Sequence, residues 1–101
     1  MKDTFKIRIT DATSPSDMDS FFCDVWSRNR SVHLLLDTTQ CKRVSLTRIL
    51  SMKGVLNKHR NNSKKYIEYT TILVKSRLVK NLLRVGLSIL KSERPVYIET
   101  L

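Results

Sequence analysis

Hydrophobic patterns of period two and period 3.6 take turns along this chain from end to end, and that alternation most constrains what it can fold into. Phe5-Lys6-Ile7-Arg8-Ile9-Thr10 reads as a strand with Phe5, Ile7 and Ile9 on one face. A helix follows. Ser14 is placed to cap it, and Pro15 falls at its first position, where no backbone N–H is needed. Asp17, three residues after Ser14, gives an acidic capping box. Met18, Phe21, Phe22, Val25 and Trp26 make its apolar stripe, spaced for a core.

Val32 to Leu36 is an apolar run closed by Asp37, the pattern of a central strand covered on both faces. After the loop from Thr38 to Arg43, Ser45 is placed to cap a second helix, with Val44 and Ile49 at hydrophobic-staple positions. Leu46, Ile49, Leu50, Met52 and Leu56 supply its buried face, and the helix is expected to end within the polar stretch Asn57 to Lys65. Tyr66 to Leu73, rich in β-branched and aromatic residues, reads as a third strand. A third helix spans residues 76–91, with Leu78, Val79, Leu82, Leu83, Gly86, Ile89 and Leu90 on one face. Gly86 is placed there to let the backbone pack against the sheet. Pro95 ends the helical region and Val96 to Thr100 forms the last strand.

Connections of this length predict an α/β fold of order βαβαβαβ, with a mostly parallel four-stranded sheet and right-handed crossovers. The outer strands are polar on one face: Lys6 and Arg8, then Glu68 and Thr70, then Tyr97 and Glu99. Helices are therefore expected mainly on one side of the sheet. The chain has 101 residues, of which 41% are hydrophobic, and this reads as one domain over residues 1–101 with material for a single core. No apolar run approaches the roughly 20 residues of a membrane-spanning helix. The opening Met1-Lys2-Asp3-Thr4 leads straight into a strand rather than a signal peptide, so a cytoplasmic location is expected.

Charge is the loudest compositional signal. The net charge is +10, and all the excess is C-terminal: residues 1–39 hold five Lys or Arg against six Asp or Glu, residues 40–101 fourteen against three. Such asymmetry points to an anionic partner, whether nucleic acid, membrane surface or acidic protein, or else to a solvated surface that keeps the chain soluble. Arg77, Lys80, Arg84 and Lys91 share one sector of the third helix opposite the apolar stripe, and Lys58, Arg60, Lys64 and Lys65 cluster at the end of the second. Together these residues are candidates to bind phosphates in a salt-sensitive, sequence-independent way.

Enzymatic chemistry has little to stand on. The two glycines, Gly54 and Gly86, both lie inside helical patterns, which excludes a glycine-rich phosphate loop, and no nucleophile–base pair or paired carboxylate stands out. Cys23 and Cys41 read as reduced thiols, one on a helix flank and one in a loop, and His33 and His59 lie at no metal-ligand spacing from them. No metal and no cofactor is expected. Asp37, at the C-terminal end of a parallel strand, sits where open α/β sheets hold ligands, although such an acid also serves to order the following loop.

Three stretches carry a family resemblance: Leu34-Leu35-Leu36-Asp37; Val44-Ser45-Leu46 at a helix start; and Val79-Lys80-Asn81-Leu82-Leu83-Arg84-Val85-Gly86-Leu87, followed by a turn and Val96-Tyr97-Ile98. Across residues 32–100 the chain resembles a STAS-type domain, the fold of bacterial anti-sigma-factor antagonists. That resemblance implies a non-enzymatic regulatory module that binds a protein partner through the helix around Ser45–Leu56. It also implies a phosphoacceptor serine at that helix start, near Ser45, with Asp37 as a partner contact. The family's acid–serine–serine signature is absent, since Arg43 and Val44 precede Ser45, and plain N-capping is the competing role for this serine. The alternative function is a basic nucleic-acid-binding protein that uses the 76–91 stripe and the 58–65 cluster. A homo-oligomer fits either reading.

Overall fold

The computed structural model describes residues 3–90 and 94–100. The strands are β1 (Asp3–Arg8), β2 (Val32–Asp37), β3 (Ile67–Val74) and β4 (Val96–Thr100). The helices are α1 (Pro15–Ser27), α2 (Leu46–Leu50), α3 (Lys53–Lys58), α4 (Arg60–Tyr66) and α5 (Arg77–Leu90). All four strands pair in parallel, in the order β1-β2-β3-β4. The fold is α/β with an all-parallel four-stranded sheet, as the alternation predicts.

Sequential order has a geometric consequence. Each crossover steps one strand in the same direction, so right-handed connections all pass over the same face of the sheet. The side-chain rows agree. Phe5-Leu34-Thr70-Val96 and Ile7-Leu36-Ile72-Ile98 run beneath the helices, while Lys6-Leu35-Thr71-Tyr97 and Arg8-Asp37-Leu73-Glu99 lie on the opposite, open face. β2 is central in position but covered by helices on one side only. Leu35 stands half-buried on the open face, contrary to the two-faced burial its apolar run suggests. There His33 stacks on Tyr69 with ring centroids 4.0 Å apart, and Tyr97 meets Tyr69 edge-on at 5.9 Å.

A register shift corrects the expected faces of β3. The ladder to β2 is irregular between Val32 and His33, so Ile67 pairs with Val32 but Tyr69 with His33, leaving Glu68 as the extra residue. One inserted residue reverses the parity of everything after it. Thr70, expected outside with Glu68, is buried on the helix side, and Tyr69, Thr71 and Leu73 take the open face.

Local chemistry explains how α1 begins. The Ser14 hydroxyl accepts the Asp17 N–H at 3.1 Å, and the Asp17 carboxylate accepts the Ser14 N–H at 2.9 Å, with Pro15 at the first helical position. A cap of this kind contributes about 1 kcal/mol. α1 stops at Asn29, whose φ of 53° is left-handed, a conformation asparagine tolerates better than most residues.

The polar stretch Asn57–Lys65 differs from expectation: it is not where helical structure ends. α3 runs into α4 through His59, which is buried against Phe22 and Trp26 of α1. That tertiary anchor outweighs the weak amphipathic pattern of Arg60 to Lys65. Gly86 also differs. A Cβ built on it would lie 2.5 Å from Ile49 Cγ2 and 3.6 Å from Leu46 Cδ1, so the close approach is to α2 and not to the sheet.

The buried side chains form two clusters. Ile7, Met18, Phe22, Val25, Val32, Leu34 and Ile67 make one, and Ile72, Val74 and Leu83 the other, with Leu36 packed against both.

Candidate functional site

The C-terminal ends of the strands, where an open α/β sheet holds its ligands, are occupied here by internal ties. Asp37 Oδ1 accepts the Thr39 N–H at 3.0 Å and the Thr39 hydroxyl at 2.6 Å, and Lys6 Nζ lies 3.7 Å from Oδ2. The two Thr39 donors, more than the nearby Lys6 and Arg8 charges, hold the Asp37 carboxyl below its ordinary pKa. Asp37 thus orders the loop that follows it. Asp11 plays the same part from the β1–α1 loop, accepting the N–H groups of Lys42 and Arg43 and one Arg48 guanidinium N–H at 3.3 Å. Those backbone donors, Arg43 first, lower its pKa. Arg48 Nη2 closes the rim on the carbonyls of Thr10 and Thr13. Sequence reasoning missed Asp11 and Arg48, because only the folded sheet brings residues 37 apart together.

Ser45 caps α2: its hydroxyl accepts the Arg48 N–H at 3.2 Å, and the side chain is otherwise exposed. Cys23 and Cys41 are both free, Cys23 exposed on α1 and Cys41 buried in the loop. Burial raises the Cys41 thiol pKa, and its Sγ–H donates to the Ile9 carbonyl at 3.3 Å.

On α5 the apolar arc is wider than the sheet and α2 can cover. Leu78, Val85 and Ile89, expected with the core at two of these three positions, are 71%, 50% and 56% exposed. Their spacing of seven and four residues sets them in one line along the helix. Arg77, Lys80 and Arg84 run beside that line. Among the described residues no ion pair neutralises them, and residues 77–90 contain no acid. Lys91 lies outside the described residues.

The 58–65 cluster does not join this strip as one surface. Lys58 turns to α1, its ammonium 3.0 Å from Asp19 Oδ2, which raises its pKa. Lys65 lies over the Tyr66 ring at 5.1 Å. Arg60 and Arg94 both line a cavity between the helices and the sheet, and the Arg94 guanidinium donates to the Lys64 carbonyl at 2.7 and 3.1 Å. This arginine was invisible as a site residue from sequence, because only parallel topology brings the start of β4 beside α4.

Two apolar cavities lie between the helices and the sheet. One, of about 110 Å³, is lined by Leu34, Ile67 and Val96 and by the polar Asn57, Arg60, Ser63 and Arg94. The other, of about 160 Å³, reaches toward Ile9, Met18 and Ile49. Phe22, Leu36, Leu56, Ile72, Leu87 and Leu90 line both.

Asp19, Cys23 and His59 also converge, with ligand atoms within 4.8 Å of one another. The set spans two elements, which is why sequence spacing did not reveal it. Its hydrogen bonds argue against a cation. Trp26 Nε1–H can only donate, and it does so to His59 Nδ1 at 2.9 Å. The ring proton therefore sits on Nε2, which donates to Asp19. A metal on Nε2 would drive that proton to Nδ1, against the Trp26 N–H, and the Lys58 ammonium already holds the same carboxylate. The cluster is a polar clasp joining α1 to the α3–α4 corner, and its His59 and Lys58 donors lower the Asp19 pKa. No family model, curated protein or solved structure matches the chain.

Proposed function

We propose that this chain is a non-enzymatic regulatory module of the cytoplasm, STAS-like in its mode of action, that docks on a protein partner through α2 and the outer line of α5. The observation that carries this reading is the exposed apolar line Leu78-Val85-Ile89. Contiguous apolar surface of this kind marks docking sites. Arg77 and Arg84 beside it favour a partner with an acidic rim, by charge complementarity. Ser45 starts the neighbouring helix, and a phosphate there would add close to two negative charges beside the docking surface. That addition would oppose an acidic partner.

The experiment compares affinity capture by the intact chain, a Val85→Asp variant and a Tyr97→Ser variant, with captured proteins quantified by mass spectrometry. The expected result is a partner retained by Tyr97→Ser, on the open sheet face, and lost from Val85→Asp. Identical capture by both variants refutes the reading.

One observation favours nucleic acid as a second reading: Arg77, Lys80 and Arg84 form a strip without ion pairs among the described residues. Three phosphate contacts would give a salt slope of about −2.7 on a log–log plot. The double variant Lys80→Glu with Arg84→Glu should abolish anisotropy changes with mixed-sequence DNA or RNA. Binding unchanged by that reversal rejects the second reading.

A further inference from the structure

Side chains on the open face of the sheet sort by strand into a pattern that matches itself. Leu35, Leu73 and the His33–Tyr69 stack occupy the two middle strands, β2 and β3. The outer strands carry Lys6 and Arg8 on β1, and Tyr97 and Glu99 on β4, with Tyr97 55% exposed. Arg8 and Glu99 lie at opposite ends of one row, Arg8-Asp37-Leu73-Glu99, and Lys6 and Tyr97 at opposite ends of the next. Neither Arg8 nor Glu99 has an ion pair among the described residues.

Two facts set this face apart from the rest of the surface. An all-parallel sheet is almost always covered on both faces, and here, among the described residues, helices cover only one. The basic excess also avoids the sheet. Its four strands hold two Lys or Arg against four Asp or Glu, in a chain of net charge +10. The helices lie behind the sheet, so two copies meeting face to face keep the basic helices far apart, where salt screens them.

We propose that this face joins a second copy of the chain in a two-fold symmetric dimer, sheet against sheet, with the axis parallel to the strands. Such an axis sets β1 opposite β4 and β2 opposite β3, and leaves each row level with itself. Arg8 of each copy then faces Glu99 of the other, Lys6 faces the Tyr97 ring, and Leu35 faces Thr71. Asp37 falls opposite Leu73 at the rim and keeps its Thr39 and Lys6 partners. The other face-to-face axis, across the strands, would set β1 on β1 and its two cations against each other. Four strands about 4.8 Å apart, each about six residues long at about 3.3 Å per residue, present a face of roughly 19 by 20 Å. Two such faces bury on the order of 1,000 Å², the low end of specific interfaces, so the dimer is reversible and of micromolar affinity. This contact leaves the outer line of α5 free and does not rest on the docking reading.

The test is sedimentation equilibrium of the intact chain over a micromolar concentration series, with NMR at the dimeric end. The expected result is a monomer–dimer equilibrium with nuclear Overhauser contacts between the Lys6 methylenes and the Tyr97 ring. Within one copy these side chains stand three strand spacings apart, about 14 Å, too far for such a contact. Arg8→Glu and Glu99→Arg should each weaken self-association about tenfold or more, by setting like charges opposite each other. Mixed in equal amounts, the two variants should recover the original affinity, because residue 8 of each then faces the opposite charge at residue 99 of the other. That recovery also shows that both variants fold. Val85→Asp, on α5, should leave the equilibrium unchanged. A monomer at every concentration overturns the proposal, as does a mixture that recovers nothing or a dimer lost in Val85→Asp. Should the charge variants not fold, the Lys6–Tyr97 contact decides, and a dimer without it overturns the proposal. A monomer whose Tyr97 signals shift on adding a mixed-sequence oligonucleotide overturns it too, and assigns the face to nucleic acid.

Discussion

Replacing Gly86 with alanine is expected to destabilise the protein, against the intrinsic preference of a helix. Alanine is favoured over glycine in a helix interior by about 1 kcal/mol, and Gly86 lies well inside α5 (Arg77–Leu90). The fold opposes that gain. The added Cβ would meet Ile49 Cγ2 at 2.5 Å and Ile49 Cβ at 3.4 Å, the first distance far inside van der Waals contact. Ile49 is β-branched and stiff at χ1, so Cγ2 cannot swing away without moving α2. Overpacking of this kind costs about 1–3 kcal/mol. The sum is a net loss of about 1 kcal/mol, which for a domain this size lowers Tm by roughly 4–8 °C. Urea unfolding of the four proteins in a double-mutant cycle with Ile49→Ala gives the decisive number. With Cγ2 removed, Gly86→Ala should become stabilising by about 1 kcal/mol, a coupling of about 2 kcal/mol between the two sites. Stabilisation by Gly86→Ala in the intact protein, or coupling within about 0.5 kcal/mol of zero, would refute the close approach of α5 to α2.

Two further outcomes are expected. His59→Phe removes the acceptor of the part-buried Trp26 N–H and a donor to Asp19, and should lower stability by about 1–3 kcal/mol; an unchanged urea midpoint would show that the clasp is idle. Acid should act through Asp11, Asp19 and Asp37, whose pKa values are depressed in the fold. A carboxylate with a folded pKa below its unfolded value of about 3.9 contributes stability that is full above that value and lost as pH falls through the folded one. Unfolding midpoints measured from pH 6 to 2, estimated to bracket that window, should therefore drop only below about pH 4. Asp37→Asn should flatten the drop, and an equally steep profile in that variant would remove Asp37 from the account.

The reading as a docking module needs the outer line of α5. Leu87 and Leu90 face the cavities while Leu78, Val85 and Ile89 face outward. The apolar arc of α5 exceeds what a single neighbour can cover.

The sequence by itself determined the order of strands, the parallel sheet and the helical layer's one-sidedness, but not the division of the expected second helix into α2, α3 and α4. These follow from short-range causes: side-chain period, the Ser14–Asp17 capping box and connection length, each readable within a few residues. Asp37 and Ser45 were legible as residues with local duties, one ordering a loop and one capping a helix. Tertiary structure alone decided the rest. The extra residue at Glu68 reversed the faces of β3, because a ladder fixes parity between strands and not within one. His59 folded a polar stretch into helix through contacts to Phe22 and Trp26, distant in sequence. Arg94 meets the Lys64 carbonyl only because parallel strands bring the starts of β3 and β4 to the same end of the sheet. Periodicity reports which side of an element is apolar. How much of that side a neighbour covers is settled only when the elements pack, and the exposed line of α5 and the cavities beneath it are what that packing leaves.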